Sequence, residues 1–94
     1  MNSVFEALAH PTRRAILEML KSGSKSAGEI AEAFHVSKPT MSGHFAKLKE
    51  AGLIQADQRG TTILYSLNLS MLEEVLLGFM GRIGTGRDEV EKGQ

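Results

Sequence analysis

The apolar residues of this chain keep a helical spacing up to Gly52, alternate through the stretch TTILYSLNL, and return to helical spacing from Ser70 onward. That order constrains the fold more than any single motif. Side chains that share a face every three to four residues mark a helix; side chains that share a face every second residue mark a strand with one side buried. The alternating set is Ile63, Tyr65, Leu67 and Leu69. The preceding LIQAD can pair with it, and the link QRGT carries the glycine that a hairpin turn wants. The expected order is four short helices, a two-stranded hairpin and a closing helix.

Local signals place the helix starts. Three segments, Ser3–Glu6, Ser26–Glu29 and Ser70–Glu73, have the spacing of a capping box, in which serine and glutamate satisfy orphan N–H groups reciprocally. Pro11, and Ser37 followed by Lys38-Pro39, mark two further starts, because a proline in the first turn loses no hydrogen bond. The spacing predicts helices over 3–9, 11–22, 26–34, 37–51 and 70–83, with Gly52 as the stop of the fourth. Residues 1–83 read as one domain. Residues 84–94, rich in glycine and charge, read as a flexible tail.

Composition narrows the class. With 94 residues, one core is expected, and a partner subunit would add much to its burial. The chain has no cysteine, so disulfides and thiolate metal sites are excluded. No signal peptide is visible, and the apolar C-terminal stretch is interrupted by Glu73 and Glu74, so membrane insertion is not expected and the location reads as cytoplasmic. Net charge is zero, but it is unevenly spread. Residues 37–62 hold Lys38, Lys47, Lys49 and Arg59 against Glu50 and Asp57; residues 70–94 hold Arg82, Arg87 and Lys92 against Glu73, Glu74, Asp88, Glu89 and Glu91.

The third and fourth helices, joined by the short link HVS, form a helix-turn-helix pattern. In such a pair the second helix enters the DNA major groove, its N-terminal half nearest the base edges. Once Met41, Phe45 and Leu48 are assigned to the core, the outer face of that helix carries Ser37, Lys38, Thr40, Ser42, Gly43, His44 and Lys47. Hydroxyls bond phosphates or base edges, glycine permits close approach, and lysine neutralises phosphate. Arg59 at the hairpin tip suits a contact to the backbone or minor groove. The bland alternative is a small helical bundle with a solvated face; the hairpin in the right place favours DNA.

The segments HPTRRAILEML, GEIAEAFHVSKPTMSGHFAKLKEAGLI and RGTTILYSL together resemble the ArsR family of winged-helix repressors over about residues 3–80. Within it the chain is most similar to the metal-independent SdpR-like autorepressors. The resemblance implies an α+β, mainly helical winged helix-turn-helix (α-α-α-α-β-β-α), a homodimer through its terminal helices, and a repressor acting on a two-half-site operator. Two positions depart from the family pattern: His10 stands where aspartate is usual, and Phe45 where leucine is usual. Both read as structural, with His10 a poor cap for the second helix.

The closing helix supports a dimer independently. Its apolar residues form more than one stripe, and a chain this small cannot bury both. The interface set is Val4, Phe5 and Leu8 with Leu72, Val75, Leu76, Phe79, Met80 and Ile83. His10, His35 and His44 do not make a ligand set at a spacing known for metal sites, so neither metal nor cofactor is expected. No constellation of nucleophile, base or paired carboxylates points to an enzyme. Two rival readings stay open: a metal-responsive sensor with an atypical site, and a protein-interaction module that uses the apolar last helix. A sequestering protein partner stays open as the means of releasing the DNA, since no ligand set is evident in the sequence.

Overall fold

A computed structural model describes residues 2–84. The tail reading for 84–94 lies, apart from Gly84, outside the described residues. The elements run α1 (Asn2–Leu8), α2 (Pro11–Met19) with a 3-10 turn over Leu20–Ser22, β1 (Lys25–Ser26), α3 (Ala27–Glu32), α4 (Lys38–Glu50), β2 (Ile54–Arg59), β3 (Thr62–Leu67) and α5 (Leu69–Arg82).

Two of the expected caps form. Ser26 Oγ accepts the Glu29 N–H at 3.1 Å and Glu29 Oε1 accepts the Ser26 N–H at 2.8 Å, a complete capping box for α3. Hydrogen bonding to the carboxylate, first from the Ser26 backbone N–H and then from the Ser26 side chain, holds the Glu29 carboxyl below its ordinary value. Ser37 Oγ accepts the Thr40 N–H at the start of α4. The other two boxes are corrected. Helix α1 already begins at Asn2, so Ser3 lies inside it, and the Glu6 carboxylate turns to Lys47 instead. Helix α5 begins at Leu69, and its cap is Asn68, whose Oδ1 accepts the Met71 N–H at 3.3 Å. His10, expected to cap α2 poorly, does cap it: its Nδ1 accepts the Thr12 N–H at 3.1 Å.

The hairpin forms where expected, with Ile54 opposite Leu67 through Arg59 opposite Thr62 and Gly60 turning at φ 61°, but Leu69, expected in the strand alternation, instead begins α5. The sheet has one strand more than the sequence led us to expect. Lys25 and Ser26 pair antiparallel with Tyr65 and Leu64, giving the order β1-β3-β2. A two-residue strand is too short to show a period of two, so no alternation could reveal it.

Ile16, Leu17, Leu20, Ile30, Met41, Phe45, Leu48, Leu53, Ile54 and Tyr65 fill the core, with Val4 and Ala7 from α1. Phe45 stacks on Tyr65 with ring centroids 4.4 Å apart, which joins α4 to the sheet. Burial pushes the Tyr65 hydroxyl above its ordinary pKa. Gly52, at φ 77°, ends α4 in a left-handed turn, with Leu53 N–H on Leu48 O and Gly52 N–H on Lys49 O. A Cβ at Gly52 would stand 3.2 Å from Met71 Cε, so α5 passes close over the end of α4. These contacts fix the attitude of α4 against the rest of the domain.

Candidate nucleic-acid interface

Helix α4 buries Met41, His44, Phe45 and Leu48 and turns Lys38, Pro39, Thr40, Ser42, Gly43, Ala46 and Lys49 to solvent. Its first turn is ordered by two hydroxyls: Ser37 Oγ donates to Thr40 Oγ1 at 2.9 Å while accepting the Thr40 N–H at 3.3 Å. Pro39 has no N–H and the Thr40 and Met41 N–H groups are bonded to Ser37, so an attraction for an anion at this helix start rests on the helix dipole and on Lys38. A Cβ at Gly43 would meet nothing within 4 Å, so no packing within the chain asks for glycine there. A mid-helix glycine costs roughly 0.5–1 kcal/mol relative to alanine. Between α3 and α4 lies a half-open cleft of about 270 Å³, lined by Ala27, Gly28, Ala31, Met41 and Phe45 with Lys38 and Ser42 at the polar side.

The remaining expected contacts are distributed as follows. Lys47 is half-buried, and its Nζ sits 3.2 Å from Glu6 Oε2 on α1. Arg59 is exposed at the end of β2, its Nε 2.8 Å from Asp57 Oδ2. Gln58 Nε2 donates to Gly60 O at 2.8 Å, which stiffens the hairpin tip.

His44 departs from the expectation of a groove contact. Only 7% of it is exposed. Its Nδ1 faces Arg13 Nη1 at 3.2 Å, and its ring lies 4.5 Å from that of His10. Burial, then the His10 and Arg13 charges, hold its pKa below the ordinary histidine value. Sequence reasoning missed Arg13, which also donates to Ala7 O at 2.8 Å and Glu6 O at 3.0 Å. Its place in HPTRR was a resemblance signal only; nothing in a helical period announces a guanidinium that reaches inward to three partners.

The expected dimer set divides. Val4 is 2% exposed inside the core, so it is corrected from interface to packing residue. Leu8, Leu72 and Val75 are half-buried against the same core. Phe5 meets Phe79 edge to face at 5.1 Å. Leu76, Phe79, Met80 and Ile83 are exposed, Ile83 by 58%. Leu77, absent from the expected set, is 67% exposed. None of the residues of α5 is fully buried, so its apolar surface is largely unmatched within the described residues. Among those residues no group of three or more His, Asp or Glu could hold a metal ion, and no helix is long and apolar enough to cross a membrane.

Comparison with known proteins agrees with this geometry. Residues 10–56 match the model for bacterial regulatory proteins of the arsR family. The transcriptional repressor SdpR of Bacillus subtilis is 42% identical over 90 residues, covering 96% of this chain and all of that protein. The HTH-type transcriptional regulator Rv2034 of Mycobacterium tuberculosis is 40% identical, over 87% of this chain and 79% of its own. The HTH-type repressor SmtB of the same organism is 32% identical; the match spans 60% of that longer protein. Among solved structures, the ArsR family transcriptional regulator RHA00566 superposes with a TM-score of 0.78 at 28% identity, over 93% of this chain and 92% of that one.

Proposed function

The chain belongs to the ArsR family of bacterial regulatory proteins, and from that premise we propose that it is a homodimeric repressor that reads a two-half-site DNA operator through α4. One observation carries the reading: α4 has a buried stripe that fixes its attitude and a capped, polar outer face. Lys38, Thr40, Ser42 and Lys47, with Ser37 at the cap, are the contact residues, and Arg59 anchors the hairpin as a wing. Gly43 fits the same face, since its missing side chain serves nothing inside the chain and leaves room for a close approach from outside.

Dimerisation is assigned to α5 and the start of α1, with Phe5, Leu76, Phe79, Met80 and Ile83 as the apolar patch and Leu77 added to it. Residues 1–83 form the functional unit. The repressor reading is supported by the full-length similarity to SdpR. Metal independence is supported by the absence of cysteine, which removes thiolate ligation. Autoregulation is the simplest circuit for a chain with this similarity.

The test is fluorescence anisotropy with the DNA upstream of its own gene, at several salt concentrations, with and without a chelator. Tight, salt-sensitive binding by a dimer, indifferent to chelator, is the expected result. An affinity that changes with chelator or added metal, in either direction, and no longer does so after His→Ala changes would return the metal-sensor reading. Binding no tighter than to a random duplex would remove autoregulation and turn attention to the apolar α5 as a protein-docking face.

A further inference from the structure

Two imidazoles meet where α4 crosses the start of α2. His10 Nδ1 accepts the Thr12 N–H and so caps α2. His44 Nδ1 faces a guanidinium N–H of Arg13. A guanidinium can only donate, so this nitrogen accepts as well. Each ring therefore needs a bare Nδ1, which leaves its single proton on Nε2. The rings are 4.5 Å apart and tilted by 52°. The charged groups that act on His44 are His10 and Arg13. Glu6, on α1, has its carboxylate on Lys47 and gives Arg13 only its backbone oxygen.

We propose that His10 and Arg13 are positioning residues for the reading helix, and that the joint they form with His44 comes apart in acid, so that DNA affinity falls as pH drops below neutral. The proposal rests on the reading of α4 as the DNA-contacting helix. A proton on His44 Nδ1 removes the acceptor that Arg13 uses and sets an imidazolium against a guanidinium. His10, whose ring lies 4.5 Å away, offers no carboxylate to offset that charge. Moving α4 away from α2 relieves the repulsion, and α4 then loses the attitude on which groove reading depends.

The sign distinguishes this from a direct contact. A histidine touching phosphate would bind DNA more tightly once protonated. A buried histidine whose neutral form is the bonded one does the opposite. The stability sign agrees: the folded-state pKa lies below the unfolded one, so the contribution is fully present above the ordinary histidine value and is lost as pH falls through the folded value.

Position 10 supplies the decisive variant. An aspartate there caps a helix as well as histidine does and places an anion beside His44. His10→Asp should therefore keep the cap and remove the acid sensitivity, read as the ratio of the affinities at the two pH values and not as the affinity at neutral pH. The experiment uses the full chain and a duplex that it selects from a random pool at about pH 7.5; Kd and thermal unfolding are measured at about pH 7.5 and about pH 5.5 at constant ionic strength. The wild type is expected to lose about tenfold in affinity, as for one linked proton over one pH unit, and to lose Tm. His10→Asp is expected to lose less than about twofold, with a smaller fall in Tm. Wild-type affinity that holds or rises on acidification overturns the proposal, as does an equal loss in His10→Asp. If the pool yields no preferred duplex at neutral pH, the repressor reading itself fails and takes this inference with it.

Discussion

Lys47 on α4 and Glu6 on α1 form an ion pair, Nζ to Oε2 3.2 Å, across 41 residues of sequence. Both side chains are substantially exposed, so the pair contributes little to stability, about 0–1 kcal/mol. Its interest lies in competition. A phosphate that takes Lys47 must displace Glu6, which then remains near the DNA as an anion.

Glu6→Gln should therefore tighten binding to every sequence by about two- to fivefold, the equivalent of at most about 1 kcal/mol. Lys47→Ala should weaken binding to every sequence and lower the salt slope by roughly one unit per subunit. In the double variant the gain from Glu6→Gln should vanish. Anisotropy titrations over a salt series read all three; a Glu6→Gln gain that survives without Lys47 would place its origin elsewhere.

Ser42 is exposed one turn into α4. Ser42→Ala should change the preference among operator variants, by about 1 kcal/mol or more at one base pair, while leaving the salt slope unchanged. A competition assay over single-base variants of the site measures this. A uniform loss on all variants would assign Ser42 to the backbone instead.

The α5 patch makes the oligomeric state testable. Ile83→Glu, at a side chain with more than half its surface exposed, should leave the fold intact and shift the protein to monomer in sedimentation analysis. Val4→Ala is the control: it opens the core and should lower stability by about 1–3 kcal/mol. A monomeric wild type, or an Ile83→Glu dimer of undiminished affinity, would remove α5 from the interface.

Asn68 and Ser70 can be told apart at the start of α5. Asn68→Ala should cost about 1 kcal/mol, because it leaves the Met71 N–H without its cap. Ser70→Ala should be close to neutral, because Ser70 lies inside the helix. Chemical denaturation distinguishes the two, and the reverse order would restore the Ser70 cap.

Most of the secondary structure was legible because its signals are local. The Ser26 box and the Ser37 cap act over three residues, and the hairpin was visible in the alternation of Ile63, Tyr65 and Leu67. Ser70 misled because its spacing to Glu73 is right, and only the path of the chain out of β3 gives the cap to Asn68. The outer face of α4 was read correctly as far as Lys38, Thr40 and Ser42 are exposed, since a helical period settles which residues oppose Met41, Phe45 and Leu48.

By itself the sequence determined the order of the five helices and the hairpin, the apolar stripe of α4, and the exclusion of thiolate chemistry. Tertiary structure alone decided that His44 faces inward to an arginine 31 residues away, that Lys47 is held by Glu6, and that Val4 belongs to the core. The physical reason is range. Capping and periodicity are set within a turn or two of helix, whereas the partner of a side chain at a helix crossing depends on how two helices lie against each other. That attitude is fixed by the whole packed core.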